Sequence, residues 1–216
     1  MPFGLGKKKG EPERPATRPQ PETGSDDAPG WDAIDAALGR VFPDQKPVHW
    51  GTDRLPDQDG LYGLSAYRQG DLWFFVTYGL SELFAKGSDN ADVSGWGFEM
   101  TMRVAGSEVE PPAWPRALLD RLGSYVFSSG RPFAIGHRLD AVSPITGGNP
   151  PTRLTCLAFS ADPELGTIET PNGALTFLTV LGITPDELAQ MKAATTATVL
   201  DEMRKANPLL VTDPLR

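Results

Sequence analysis

The sequence is poor in the residues that hold many small proteins together covalently or through metals. Its 216 residues include one cysteine and two histidines. Cys156 has no partner in the chain, so a disulfide framework is excluded. One thiol and two imidazoles cannot supply the four ligands of a zinc site, and no metal or other cofactor is expected. An excess of positive charge is missing too. There are 28 Asp and Glu against 20 Lys and Arg, a formal charge of -8. Nucleic-acid binders need a basic footprint, so none is expected as a partner. No apolar run approaches the roughly 20 residues that cross a bilayer. The opening MPFGLGKKKGEPERP places its lysines after its few apolar residues, the reverse of a signal peptide. These absences lead to the expectation of a cytoplasmic protein with no membrane partner.

Glycine and proline, by contrast, are plentiful, at 23 and 21 residues. Residues 1–30 hold six of the prolines and five of the glycines, with Phe3 as the only aromatic. Such a segment buries too little apolar surface to offset its ordering entropy, and a disordered tail is expected over 1–30. Its five cations cancel its five anions, so the whole of the -8 belongs to the body, residues 31–216. The Lys7–Lys9 run reads as part of a solvated tail.

In the body, glycine and proline punctuate short elements. Trp31, Ile34, Leu38 and Val41 fall at helical spacing, and Pro43 stops the run. LYGLSAYR and LWFFVTYGL, between 61 and 80, read as two strands joined by Gln69-Gly70-Asp71. Segment 96–104 alternates apolar Trp96, Phe98, Met100, Met102 and Val104 with Gly97, Glu99, Thr101 and Arg103. That predicts a half-buried antiparallel strand. Trp114, Leu118, Leu122 and Tyr125 restore helical spacing over 112–128, between Pro112 and Gly130. Strands are expected near 135–141 and 153–160, the second apolar on both faces and therefore central. Asn172-Gly173 is the strongest hairpin signal and leads into ALTFLTVLG. Thr184, Pro185 and Glu187 make a capping box that opens a helix expected to reach Ala206. A short strand at 209–212 closes the chain. Hairpins with helices set between them predict an α+β fold, a largely antiparallel twisted sheet with helices packed against it.

Residues able to carry chemistry are sparse. There is no G-x-S-x-G and no phosphate-binding loop, and Gly95-Trp96-Gly97 lacks the third glycine of a dinucleotide fingerprint. His137 and Asp140, with Ser143 nearby, could serve a hydrolase or lyase. Residues three apart on a strand point to opposite faces, however, and two polar residues near a strand end is the plainer reading. Asp162 and Glu164 form an acidic pair suited to general acid–base work or to Mg²⁺, or simply to a turn. His49 beside Trp50, just before loop 53–59, reads as a packing or capping residue. Cys156 reads as a small buried hydrophobe.

The aromatics say more. Trp73, Phe74, Phe75 and Tyr78 on one strand, with Trp96 and Phe98 on another, are too many for a single face. Most belong to a core. Any exposed beside the acidic residues Glu82, Asp89 and Asp92 would form a partner surface, since Trp and Tyr are typical anchors of interfaces.

The order of WFFVTYGLSELF (73–84), SGWGFEMTMR (94–103), PPAWPRALLDRLGSYVF (111–127), TPNGALTFLTVLGIT (170–184) and NPLLVTDPLR (207–216) resembles the suppressor-of-fused domain. The likeness runs in register from about Trp31 to Arg216. It implies an α+β domain that binds protein and is not an enzyme. In the animal member, a transcription factor is restrained through an extended peptide gripped between this domain and a second lobe. The sequence ends at Arg216 without that lobe, and single-domain members are typical of bacteria, where they resemble immunity proteins that neutralise secreted toxins. The resemblance places partner-binding positions on and beside the loop between YGLSEL and SGWGFE: Tyr78, Glu82, Phe84 where a tyrosine is usual, Asp89 or Asp92, and Trp96. A toxin or other protein partner is therefore expected, and a body at -8 suits a basic one. An adaptor tethered through its N-terminal tail is the alternative role.

Overall fold

A computed structural model describes residues 27–52 and 60–216. The expected tail lies, over residues 1–26, outside the described residues, as does loop 53–59. Helix α1 (Pro29–Val41) starts two residues before the drawn boundary. Proline suits the first helical position because its missing N–H has no intrahelical acceptor there. The free amides of Gly30 and Trp31 donate to Leu83 O at 3.0 and 3.2 Å, so residues 29 and 30 belong to the body.

Among the described residues eight strands follow: β1 (Val48–Gly51), β2 (Gly63–Gln69), β3 (Leu72–Tyr78), β4 (Val93–Ala105), β5 (Arg138–Asp140), β6 (Cys156–Ala161), β7 (Thr167–Thr170) and β8 (Gly173–Ile183). They form one sheet in the order β1-β2-β3-β4-β8-β6-β5, with β7 also paired to β8. Every pairing is antiparallel except β4 with β8. The α+β, largely antiparallel architecture is thus the observed one. The Gly70 turn joins β2 to β3, and Asn172-Gly173 turns β7 into β8.

Helices cover both faces of the sheet. Ile34, Ala37 and Leu38 of α1 pack with Tyr67, Phe74, Val76, Tyr78 and Phe177 on one face. Helix α2 (Ala113–Ser129) sends Trp114, Leu118, Leu122 and Val126 against Trp73, Phe75, Met100 and Met102 on the other. The surplus of aromatics is resolved by two cores, with Trp96 alone of the six left partly exposed.

Double coverage also corrects the reading of β4 as half-buried and antiparallel. It is a central strand, antiparallel to β3 and parallel to β8, and Glu99, Thr101 and Arg103 are all 0% exposed. The polar face turns inward because its carboxylate, hydroxyl and terminal guanidinium nitrogens find partners there, although Arg103 Nε has none among the described residues. Arg103 donates to Asp162 at 2.7 and 3.2 Å and to Glu164 at 2.7 Å, its guanidinium lying 4.6 Å from the centroid of the Phe74 ring.

The C-terminal helix is likewise two helices, α3 (Pro185–Ala193) and α4 (Thr196–Arg204), rather than one reaching Ala206. The Thr184–Glu187 capping box is present. Thr195 then accepts a hydrogen bond from Thr198 N at 3.0 Å and starts the second helix. The break lets Leu188, Met191 and Leu200 share one core with Cys156, Leu181 and Ile183. The strand expected at 209–212 is reduced to a single bridge, Thr212 to Val104.

Candidate partner-binding site

Between β3 and β4 the chain makes a long excursion, and buried carboxylates determine its shape. Glu99 accepts from Gly79 N (2.8 Å), Ser81 N (2.9 Å), Ser81 Oγ (2.7 Å) and Thr77 Oγ1 (2.7 Å), pinning the start of the loop. Glu82 organises the rest. Its carboxylate accepts from the amides of Gly87 (2.7 Å), Ser88 (2.5 Å) and Gly95 (3.1 Å), and Lys86 Nζ lies 3.0 Å away. Burial alone would raise the Glu82 pKa. The donors from Gly87, Lys86, Ser88 and Gly95 outweigh it and hold the carboxyl below its ordinary value.

The hairpin tip between β7 and β8 locks onto this loop. Asn172 Nδ2 donates to the carbonyls of Glu82 and Phe84, both at 2.8 Å, across 90 and 88 residues of sequence. Lys86 Nζ returns a hydrogen bond to Asn172 O at 2.8 Å and another to Val93 O. Gly173 must be glycine: its φ is +104°, and a Cβ would meet Val93 N at 2.8 Å and Ala91 O at 2.9 Å. With α1 bonded to Leu83 O, three distant segments become one rigid knot. YGLSEL, SGWG and TPNG, separate in sequence, are neighbours in space.

The six residues expected to meet a partner separate into distinct environments. Asp89 and Asp92 are exposed, and their carboxylates make no hydrogen bond or ion pair among the described residues. Trp96 is 36% exposed, edge-on to Phe127 at 6.3 Å. Phe84 is half-buried, its ring edge-on to Tyr62 at 5.6 Å. Glu82 is an internal tie of the loop, its charge committed to backbone amides. Tyr78 is only 1% exposed, because α1 covers it and its hydroxyl donates to Asp35 at 3.0 Å; it is a core residue and not a surface anchor. Replacing Glu82 by Ala is expected to cost about 1–3 kcal/mol, the range for leaving partly buried donors unpaired. Hydrogen exchange should locate the loss, with the amides of Gly87, Ser88 and Gly95 losing protection first.

The residues considered for catalysis do not converge. His137 Nδ1 accepts from Ala134 N at 3.2 Å, while Asp140 accepts from Val142 N at 2.9 Å and faces the Cys156 thiol at 3.8 Å. No hydrogen bond joins His137 to Asp140 among the described residues. Asp162 and Glu164 share Arg103 as their partner, so both carboxylates are committed to an ion pair within the fold. Among the described residues, no group of three His, Cys, Asp or Glu side chains is arranged to hold a metal. No described helix is long and apolar enough to cross a membrane. Sequence reasoning missed Glu99, Arg103 and Asn172, whose partners lie too far along the chain for spacing to reveal them.

Comparison with known proteins agrees with this geometry. The family model of Suppressor of fused protein matches residues 57–216, which include the loop and both of its ties. The Suppressor of fused homolog of Homo sapiens is 30% identical over 87% of this chain. The chain spans 43% of the length of that relative. Among solved structures, a chain of the Sufu–Fu complex superimposes with a TM-score of 0.80 at 29% identity, covering 87% of this chain and 91% of that one. Drosophila Suppressor of Fused gives 0.79 at 29% identity, covering 87% and 50%. A matched family model over most of the chain, on a shared fold, leads to one conclusion: the protein belongs to the suppressor of fused family.

Proposed function

We propose that this chain is a non-enzymatic protein-binding domain that acts in the cytoplasm as an immunity or inhibitory protein. It occludes a cognate toxin or another protein partner through loop 84–95 and Trp96. The observation that carries this reading is the division of labour among the loop's acids. Glu82 is consumed in holding the loop rigid, whereas Asp89 and Asp92 face solvent with no internal role. A pre-shaped loop loses little conformational entropy on binding, which favours affinity. Trp96 supplies a partly exposed aromatic anchor beside them. The fold's appearance in a Sufu–Fu complex supports protein binding as the general role. The body's charge of -8 favours a basic partner, attracted by long-range steering.

The test compares wild-type bait with an Asp89→Lys, Asp92→Lys double variant in quantitative affinity capture from the native host. Neither carboxylate is bonded within the fold, so the variant is expected to fold normally by circular dichroism. The specific partner should be recovered at least about tenfold less, equivalent to about 1.4 kcal/mol. Its association with wild type should slow as salt rises. Equal recovery of the partner by both baits would place the interface elsewhere.

A further inference from the structure

Residues 111–160 carry a charge opposite to that of the rest of the body. They contain five arginines, two aspartates and neither lysine nor glutamate, a net +3, so that the body's -8 comprises -11 on its other residues. The fold spreads this stretch over one face of the sheet. Helix α2 packs there, and Phe133, Ala141, Ile145 and Leu154 join the same core from the segment that follows it. Arg138 and Asp140 turn away from this layer, since Arg138 donates to Thr196 at the start of α4 and Asp140 faces the Cys156 thiol. Arg116, Arg121, Arg131 and Arg153 remain, all exposed, with Asp120 as the one acid among them. None of the four arginines is in an ion pair among the described residues. An acidic protein thus presents one layer of positive charge.

Apolar surface is exposed in the same stretch. Of the eight large apolar side chains exposed among the described residues, it supplies four: Tyr125, Ile135, Leu139 and Val142. A ladder of rings leads out to them from the core. Phe133 stacks on buried Phe159 with centroids 4.4 Å apart and planes 10° apart, and Tyr125, 45% exposed, stacks on Phe133 at 5.6 Å. The outer rings are therefore held in place from beneath. Arg121 precedes Tyr125 by four residues on α2 and shares its side of the helix. Arg131 stands two residues before Phe133.

This composition limits the occupant. Fixed aromatic rings beside arginine, without lysine, are typical of the energetic centres of protein interfaces. Guanidinium groups pair with carboxylates through two parallel hydrogen bonds. A basic segment would be repelled. An uncharged apolar one would cover the rings and strip water from the arginines without giving them a partner. A long polyanion such as a nucleic acid would meet the -11 of the surrounding body, and the exposed apolar side chains offer its phosphates nothing. A short acidic segment with an apolar side chain satisfies both components.

We propose that α2 and residues 131–142 form an interaction surface for an acidic polypeptide segment, its carboxylates paired with Arg121 and Arg131 and an apolar side chain seated on the Tyr125 and Phe133 rings. The surface does not include loop 84–95 and does not rest on the function proposed for that loop.

The test selects binders to the immobilised full chain from a library of random peptides of about twelve residues. An enriched class is expected to carry net negative charge and at least one Leu, Phe or Trp. Chemical shifts of the wild-type chain titrated with a peptide of this class should change chiefly within residues 121–142. The Arg121→Glu, Arg131→Glu double variant should bind that peptide at least about tenfold more weakly. Tyr125→Ala, which removes the outer ring and keeps the charges, should weaken it by a comparable factor. All three side chains are exposed, so both variants should keep the wild-type circular dichroism spectrum. The wild-type titration decides the matter by itself if either variant misfolds. A short DNA duplex and vesicles of phosphatidylglycerol serve as competing probes. The absence of an acidic class, an acidic class whose shifts lie outside 121–142, unchanged affinity in both variants, or tighter binding of the duplex or the vesicles than of any selected peptide would overturn the assignment.

Discussion

Replacing Asp162 by alanine is expected to destabilise the fold by about 3–5 kcal/mol, the range for breaking one partner of a buried ion pair. Asp162 accepts from both terminal nitrogens of Arg103, from the hydroxyls of Thr101 (2.7 Å) and Thr179 (2.9 Å), and from the amides of Glu164 (3.0 Å) and Leu165 (3.1 Å). It therefore joins β4, β8 and the turn after β6 at one point. Alanine would leave the Thr101 and Thr179 hydroxyls only each other, at 2.9 Å, and the guanidinium only Glu164, whose side chain is 30% exposed. The double variant Arg103→Met, Asp162→Leu removes the stranded charge and should be more stable than Asp162→Ala alone. Urea unfolding measures both. A single variant within about 1 kcal/mol of wild type would mean that water enters and satisfies Arg103.

The pH dependence of this pair has a definite sign. Burial would raise the Asp162 pKa, but the Arg103 hydrogen bonds and charge prevail and hold it below its ordinary 3.8. A depressed folded value contributes stability above the unfolded pKa, and that contribution is lost as pH falls through the folded one. The loss of the Asp162 contribution therefore begins only as the pH falls below the ordinary 3.8.

Glu99 is expected to behave in the opposite way. Burial pushes its carboxyl up to about 7 from an ordinary 4.5, against the lowering effect of its four donors. The folded state then binds more protons than the unfolded chain between those values. Stability from this group is fully present below 4.5 and is lost as pH rises through 7, a change on the order of 3 kcal/mol at 1.36 kcal/mol per pKa unit. Glu99→Gln keeps the oxygen that receives Gly79 N and Ser81 N and can direct its amide at Thr77 Oγ1. It should match or exceed wild type above pH 7 and show a flatter stability profile between pH 5 and 8. Glu99→Ala, which offers no acceptor at all, should lose several kcal/mol and loosen loop 84–95 with it. Thermal unfolding across that pH range decides the matter: a glutamine variant whose slope equals that of wild type would show that Glu99 is not the titrating group.

Legibility in the sequence followed the range of the interactions. The Thr184–Glu187 capping box, the Asn172-Gly173 hairpin and the start of α2 each rest on contacts within a few residues, and all appear in the structure. The break between α3 and α4 was not legible, because a capping threonine inside an otherwise periodic run resembles an ordinary helix residue. Within the site, Asp89, Asp92 and Trp96 were reached through the family resemblance, and only the fold shows all three partly or fully exposed. The internal role of Glu82 was not legible, since its partners are backbone amides brought close only by the folded loop. Nor was the ladder of Tyr125, Phe133 and Phe159, whose rings come from α2, the segment after it and β6.

By itself, the sequence determined the α+β class, most element positions, the family, and the location of the net charge in the body. The tertiary structure alone decided which faces are buried. Alternation of polar and apolar residues marks a solvent face only when nothing covers it. On β4 the polar face is covered, and Glu99, Thr101 and Arg103 are stable there because Ser81, Asp162 and Thr179 supply their partners. The single cysteine acquires its physical meaning here: with no disulfide within the chain to fasten distant segments, a buried ion pair and carboxylate–amide ties do so.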